Sequence, residues 1–123
     1  MNHRDQIILE KILKYCREIS DTLQYFHMDK NLFYDKEAGY IFRNSITMPI
    51  LQIGELAKNL TDEFRLAHKD IPWKLIMGMR DIFAHHYGAI DYDTVWNTAT
   101  RDIPEPSKLL AAILKTENEK QDE

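Results

Sequence analysis

The chain has 123 residues, 44% of them apolar, and a formal net charge of −4. This length suits one domain with an apolar core. The acidic balance argues against non-specific binding of nucleic acid, which depends on phosphate neutralisation by Lys and Arg. The single cysteine, Cys16, excludes an internal disulfide and suits a reducing compartment. With a polar amino terminus and no apolar run near the roughly 18 residues of a membrane span, we expect a cytoplasmic protein without a membrane partner.

The first predicted helix runs from about Arg4 to Phe26, and residues 29–31 break it. Its apolar residues recur at spacings of three and four, which is typical of one buried helix face. They are Ile8, Ile12, Tyr15, Ile19, Leu23 and Phe26.

The second helix is predicted to start after Asp35, which can cap it. Pro49 lies inside its apolar pattern and is expected to kink or split it. Thr61 can then cap a short helix that ends near His68. The apolar stripe of the second helix consists of Ile46, Ile50, Ile53, Ala57 and Leu60.

Pro72 is suited to the first turn of a third major helix, which Gly88 can end. Its buried side is predicted from Trp73, Ile76, Met79 and Phe83.

Asp91 can cap the next helix, which carries Val95 and Trp96. Pro104 and Pro106 are expected to interrupt the chain before the last helix. That helix carries Leu109, Leu110, Ile113 and Leu114.

No segment alternates with period two, so we predict an all-α fold, an antiparallel bundle of four to five helices. The bundle is expected to span residues 1–115 and a charged flexible tail residues 116–123. A small helical domain often buries a remaining apolar face by dimerising, so we expect a homodimer.

Arg80, His85 and Tyr87 form the candidate chemical site. On an ideal helix Tyr87 falls about 20° from Arg80, whereas His85 falls about 140° away. Arg80 and His85 can converge on one ligand if the helix unwinds near His85, or if two copies of the chain face each other and each contributes residues.

These residue types suit RNA cleavage without a metal. A histidine can move a proton to or from ribose oxygens, and an arginine fork can hold a phosphate. The spacing by itself equally fits a surface ion pair of Arg80 and histidines that stabilise a helix end.

Three further groups of residues could contribute chemistry. Glu55 could pair with Arg80 or orient His85, or it could be a solvated acid beside Lys58 and Asn59. The spacing of His85, His86, Asp91 and Asp93 does not match a zinc motif, so we predict no metal and no cofactor. Cys16 lies on the apolar side of the first helix and is expected to be a buried thiol.

The wider sequence around the site resembles one protein family. The segments are IPWKLIMGMRD at 71–81, AHHY at 84–87 and IDYDTVW at 90–96, together with QIGELAK at 52–58 and DIPE at 102–105. In this order they resemble the HepT-like toxins of the HEPN superfamily, and the similarity extends from about Ile8 to Leu114.

The resemblance implies a dimeric all-α bundle that acts as the toxin of a HepT/MntA-type (type VII) toxin–antitoxin pair. The family motif of Arg, four residues, His, one residue and Tyr falls on Arg80, His85 and Tyr87. It implies a ribonuclease in which Arg and His of two protomers line one cleft. The implied antitoxin is a minimal nucleotidyltransferase that transfers AMP to Tyr87. Asp81 replaces the usual Asn or similar polar residue of the motif, and it could either orient Arg80 or compete with phosphate for it. Asp81, Glu55 and His86 are expected to have supporting roles.

We therefore predict a metal-independent endoribonuclease that attacks RNA through the ribose 2′-hydroxyl, with Arg80 and His85 as catalytic residues. The alternative is a non-catalytic dimeric module that binds and scaffolds a minimal nucleotidyltransferase. The acidic net charge favours this alternative.

Overall fold

A computed structural model of the chain describes residues 1–82 and 91–121, which form seven α-helices and no strand. The helices are α1 (His3–Tyr25), α2 (Lys30–Tyr34), α3 (Tyr40–Lys58), α4 (Asp62–Ala67), α5 (Trp73–Gly78), α6 (Tyr92–Asn97) and α7 (Pro104–Gln121). The predicted all-α class is confirmed. The described helices outnumber the expected four to five, and α2 is the one among them that was not predicted as a separate element.

The three long helices run antiparallel to their neighbours. The Phe26 ring, just after α1, stacks on Phe42 at the start of α3, with centroids 4.5 Å apart. At the other end, the Asp5 carboxylate accepts a hydrogen bond of 3.0 Å from the Thr61 N–H, just after α3. The Gln6 amide donates to Asn118 at 3.2 Å, so the start of α1 also lies beside the end of α7. These contacts place α1 between α3 and α7.

The ends of α1 are defined by local chemistry. The Asn2 side chain caps its start by accepting from the Asp5 N–H at 2.7 Å. At its end His27 and Met28 both take left-handed backbone angles, with φ of 56° and 53°. This lets the Met28 N–H donate back to the Leu23 carbonyl at 2.8 Å, a bond typical of a Schellman cap. The predicted helix from Arg4 to Phe26 is confirmed to within one residue at each end.

The predicted start of the second helix is wrong. Asp35 does not cap α3. Its carboxylate closes a turn by accepting from the N–H groups of Glu37 and Ala38, at 2.9 and 2.8 Å. The helix begins only at Tyr40, and the short helix α2 precedes this turn. Asp29 was expected only to end the first helix. It also caps α2 by accepting from the Leu32 N–H at 3.0 Å.

Pro49 does not split α3, which is one continuous helix from Tyr40 to Lys58. Proline removes one helical hydrogen bond, but Pro49 and its neighbours Ile46, Ile50 and Ile53 are all buried. Packing of this face against the core supplies more stability than one backbone bond, so the helix persists.

The predicted α4 is confirmed, since the Thr61 hydroxyl caps it by accepting from the Phe64 N–H at 3.1 Å. The third major helix is shorter than expected. As an α-helix, α5 ends at Gly78, and the chain tightens into a 3₁₀ turn at Met79–Asp81. The predicted end at Gly88, like the buried position of Phe83, lies outside the described residues.

Asp91 caps α6 as predicted, accepting from the N–H groups of Asp93 and Thr94. A π-helical turn at Thr98–Asp102 then connects α6 to α7. The prolines lie inside the start of α7 rather than before it, with Pro104 as its first residue and Pro106 in its first turn. The first turn tolerates proline because its N–H groups have no helical acceptor.

The tail expected from residue 116 continues α7 as far as Gln121, whose side chain donates to Gln6 at 2.8 Å. Its flexibility stays a prediction. No helix in residues 1–82 or 91–121 is both long and apolar enough to cross a membrane.

Candidate functional site

The 3₁₀ turn that carries Arg80 lies directly on α3 at Gly54. A Cβ atom placed on Gly54 would come within 2.9 Å of the Met79 carbonyl carbon and 3.0 Å of the Arg80 Cα, with the Arg80 nitrogen nearer still. Only glycine leaves room for two backbones this close. Met79 is buried beneath the turn and anchors it to the core.

Arg80 itself points partly into solvent. Its side chain is 33% exposed, and its Nε lies 3.5 Å from the Asp81 carboxylate, whose side chain is 58% exposed. A long ion pair between exposed groups contributes little stability. It uses only one edge of the guanidinium, so within the described residues the terminal Nη groups make no hydrogen bond and can receive an anion.

Glu55 follows Gly54 on α3 and is exposed. Among the described residues Arg80 pairs with Asp81, and no ion pair joins it to Glu55. The Glu55 carbonyl accepts from the Asn59 side chain at 3.1 Å, as an ordinary helical contact. The alternative that Glu55 is a solvated acid therefore fits the geometry better than a pairing with Arg80.

His85, His86 and Tyr87 lie outside the described residues. Their geometric relation to Arg80 stays a prediction. The 3₁₀ turn nevertheless changes one premise of that prediction. Because such a turn advances about 120° per residue rather than 100°, the angle calculated for one ideal helix does not hold across Met79–Asp81.

The start of α6, which follows the motif in the chain, is held by two contacts. The Tyr92 ring lies 4.3 Å from the guanidinium carbon of Arg43, a buried residue of α3. The Tyr34 hydroxyl donates a hydrogen bond to the Asp93 carboxylate. Segments on both sides of the predicted motif are thus anchored on the α2–α3 region.

Partial desolvation of the Tyr34 phenol, together with its hydrogen bond to Asp93 and the negative charges of Asp93 and Asp91, raises its pKa to about 12. The phenol therefore stays protonated near neutral pH and keeps its role as hydrogen-bond donor. Since Asp91 caps α6 and Asp93 binds Tyr34, both carboxylates already have structural roles. No group of three potential metal ligands is found in the described part of the chain.

Arg43 and Tyr34 were missed by the sequence-based prediction. A signal for Arg43 was present, since it lies three residues before Ile46 and seven before Ile50, in line with the apolar stripe of α3. A charged residue on a buried helix face requires partners and is worth examining for that reason. For Tyr34 the sequence carries no comparable signal, because its partner Asp93 is 59 residues away.

The protein-family model described as "Ribonuclease HepT-like" matches residues 8–113, most of the chain. The chain belongs to the HepT-like ribonuclease family. This confirms the resemblance predicted from the segments around Arg80 and, at the level of the family, the prediction of an endoribonuclease.

Curated relatives agree with this HepT-like assignment. "Putative RNase MJ0125" of Methanocaldococcus jannaschii is 36% identical over 121 residues, which cover 98% of this chain and 100% of the relative. "Putative RNase TTE0752" of Caldanaerobacter subterraneus is 34% identical over 104 residues, 77% of this chain and 93% of the relative. "Probable ribonuclease HepT" of Thermococcus cleftensis is 40% identical over 52 residues, which cover 42% of this chain and 47% of the relative. No solved structure matches the chain.

Proposed function

We propose that this chain is the ribonuclease toxin of a type VII toxin–antitoxin pair, with Arg80 and His85 as its catalytic residues. The observation that supports this most strongly is the placement of Arg80 in a chain of the HepT-like ribonuclease family. Its turn is seated on Gly54, and its side chain is one-third exposed. Within residues 1–82 and 91–121 neither Nη group makes a hydrogen bond, which leaves both for a phosphate.

In the proposed reaction His85 takes the proton from a ribose 2′-hydroxyl. The 2′-oxygen forms a new bond to the adjacent phosphorus, and the bond from phosphorus to the 5′-oxygen breaks. A histidine then returns a proton to that leaving oxygen. The products are a 2′,3′-cyclic phosphate and a free 5′-hydroxyl, so no metal or cofactor is needed.

Arg80 would clamp the phosphate and stabilise the charge that builds on its oxygens. Asp81 lies on the Nε edge of Arg80, so it can orient the guanidinium without blocking the Nη edge. This favours a supporting role for Asp81 over competition with the substrate. His86, beside the motif histidine, would at most assist locally.

The proposed active form is a homodimer in which Arg80 of one protomer and His85 of the other share a cleft. The exposed face of α3 supports this. Ile41 and Met48, seven residues apart and therefore on one face, are each 55% exposed. A second copy that packs on this face of α3 would cover both side chains.

The proposed partner is a minimal nucleotidyltransferase antitoxin of the MntA type. The Tyr87 oxygen would attack the α-phosphorus of ATP, form a bond to AMP and release pyrophosphate. The attached AMP adds bulk and negative charge two residues from His85, where it would exclude the RNA phosphate. Tyr87→Phe should therefore keep its toxicity when the antitoxin is co-expressed, whereas the wild type should lose it.

Purified protein with unmodified Tyr87 tests the catalytic proposal. The wild type should cleave cellular RNA in the presence of EDTA and leave 2′,3′-cyclic phosphate ends. His85→Ala and Arg80→Ala should each lower the rate by about 100-fold or more. The matched control is His3→Ala, which removes an exposed histidine of α1 and should cleave at the wild-type rate. Equal cleavage by His85→Ala and wild type would disprove the assignment.

A non-catalytic module that scaffolds the nucleotidyltransferase is the second candidate, favoured by the net charge of −4. It predicts tight binding of the antitoxin but no RNA cleavage and no toxicity when the chain is expressed alone. Expression without the neighbouring antitoxin therefore separates the two functions.

A further inference from the structure

Arg43 is a buried cation that forms no ion pair in the described part of the chain, although its charge interacts with the nearby Asp35 carboxylate. It is only 5% exposed, yet it takes part in no ion pair there. Its Nη1 donates to the carbonyls of Phe33 and Asp35, at 2.7 and 2.6 Å. Its Nη2 donates to the carbonyl of Lys36 at 3.4 Å. Burying a guanidinium costs free energy that hydrogen bonds only partly offset. A residue kept at this cost is expected to hold something in place.

The flat face of the Arg43 guanidinium holds the start of α6. The Tyr92 ring lies 4.3 Å from its central carbon, a distance suited to stacking and cation–π attraction. Gly39 makes room for the guanidinium, because a Cβ there would lie 2.5 Å from the Arg43 Nη1. The bond from Tyr34 to Asp93 fixes the same turn from a second side.

Both ends of residues 83–90 are therefore held by one helix. Gly54 of α3 seats Arg80 just before this segment, and Arg43 of α3 holds Tyr92 just after it. The two contact points are eleven residues apart on α3, which corresponds to about 16 Å along its axis. A rigid helix thus sets the separation between the two ends of the segment that carries His85.

We infer that Arg43 is a positioning residue for the ribonuclease site: by stacking on Tyr92 it fixes the end of the motif segment opposite Arg80. This inference rests on the proposed role of His85. Arg43 does not contact substrate in this account. It acts through Tyr92 and the start of α6, and its loss would misplace His85 relative to Arg80 while leaving the phosphate clamp intact.

Steady-state cleavage of RNA by paired variants tests this. Arg43→Lys keeps the charge but loses the planar face, and Tyr92→Leu loses the ring. Each should lower kcat by about 10- to 100-fold, because small misplacements are costly in catalysis. KM should change less, since Arg80 is untouched. Tyr92→Phe keeps the ring over Arg43 and should restore most of kcat.

A merely structural role would give a different pattern. Thr61→Ala removes the cap of α4 and the bond to Asp5 far from α6, so it should lower Tm while leaving kcat unchanged at a temperature well below Tm. If Arg43→Lys loses no more kcat than Thr61→Ala at a matched drop in Tm, the positioning role is wrong.

Hydrogen–deuterium exchange gives a readout that does not depend on cleavage. Amides of α6 (Tyr92–Asn97) should exchange faster in Arg43→Lys and Tyr92→Leu than in the wild type, while those of α4 should not change. Unaltered exchange in α6 would overturn the inference. If the wild type cleaves no RNA, the proposed function fails, and the α6 exchange still decides whether Arg43 anchors this end of the segment.

Discussion

Gly54 of α3 lies directly beneath the backbone of Arg80, with no space between them for a methyl group. The atoms that a Cβ would meet are the Arg80 nitrogen and Cα and the Met79 carbonyl carbon. All belong to the backbone, so no side-chain rotation can relieve the overlap. The position of the predicted phosphate clamp is therefore coupled to a residue that has no side chain.

Gly54→Ala should consequently destabilise the fold and impair cleavage together. We expect the free energy of unfolding to fall by about 1–3 kcal/mol, as for other overpacked sites. Urea denaturation and RNA cleavage measure the two effects. Gly78→Ala is the matched control, because no atom of the described residues lies within 4 Å of a Cβ there. In that helical position alanine should be neutral or stabilise by up to about 1 kcal/mol. The same destabilisation by both variants would refute the close-contact explanation.

His27 is a second position where backbone conformation predicts the sign of a mutation. It is exposed, and its φ of 56° is unfavourable for a residue with a Cβ. His27→Gly should raise the free energy of unfolding by about 1 kcal/mol, measured by thermal or chemical denaturation. The control Gln24→Gly, at an exposed position inside α1, should lower it by a similar amount. Changes of equal sign would be incompatible with the left-handed cap.

Asp5 connects the start of α1 to the α3–α4 turn and is only 2% exposed. It accepts from both the N–H and the hydroxyl of Thr61, at 3.0 and 2.6 Å. Asp5→Ala would leave these donors without their acceptor, and should cost about 1–3 kcal/mol of stability in urea unfolding. Asp5→Asn keeps one acceptor oxygen and should cost less. If the two variants are equally stable, the hydrogen bonds are not the source of the effect.

Cys16 gives the fold a predictable alkaline sensitivity. Burial, only partly opposed by a hydrogen bond with Ser107, raises the pKa of its thiol from 9.0 to about 11. The unfolded chain therefore loses this proton first. The stability that the protonated thiol provides is fully present below pH 9 and is lost as the pH rises towards 11. The free energy of unfolding of wild type relative to Cys16→Ala should decline across this interval, and a constant difference would contradict the shift.

Much of the helical framework could be predicted because it depends on short-range patterns. The residues at spacings of three and four in α1 face the core, and the caps at Thr61 and Asp91 act as their side chains suggest. One error occurred where a competing turn and a buried arginine override a local capping signal. Asp35 has a good capping side chain, but the buried Arg43 binds its carbonyl and the helix starts later, at Tyr40.

The candidate site divides in the same way. Arg80, His85 and Tyr87 could be proposed as site residues from their chemistry and from the resemblance of their motif to that of a family. Residue types and motif spacing can both be read directly from the sequence. The roles of Arg43 and Tyr34 could not, because their partners Tyr92 and Asp93 are about half the chain away.

The sequence by itself therefore determined that this protein is an all-α member of the HepT-like ribonuclease family, with an acidic net charge and one buried thiol. Periodicity, composition and motif order carry that information. Only the tertiary structure decided that α5 ends at Gly78, that Arg80 sits in a 3₁₀ turn on Gly54 and that Arg43 lies buried against Tyr92. The physical reason is that helical periodicity reports which face of a segment is buried, whereas these features depend on which backbone or ring occupies the space opposite it.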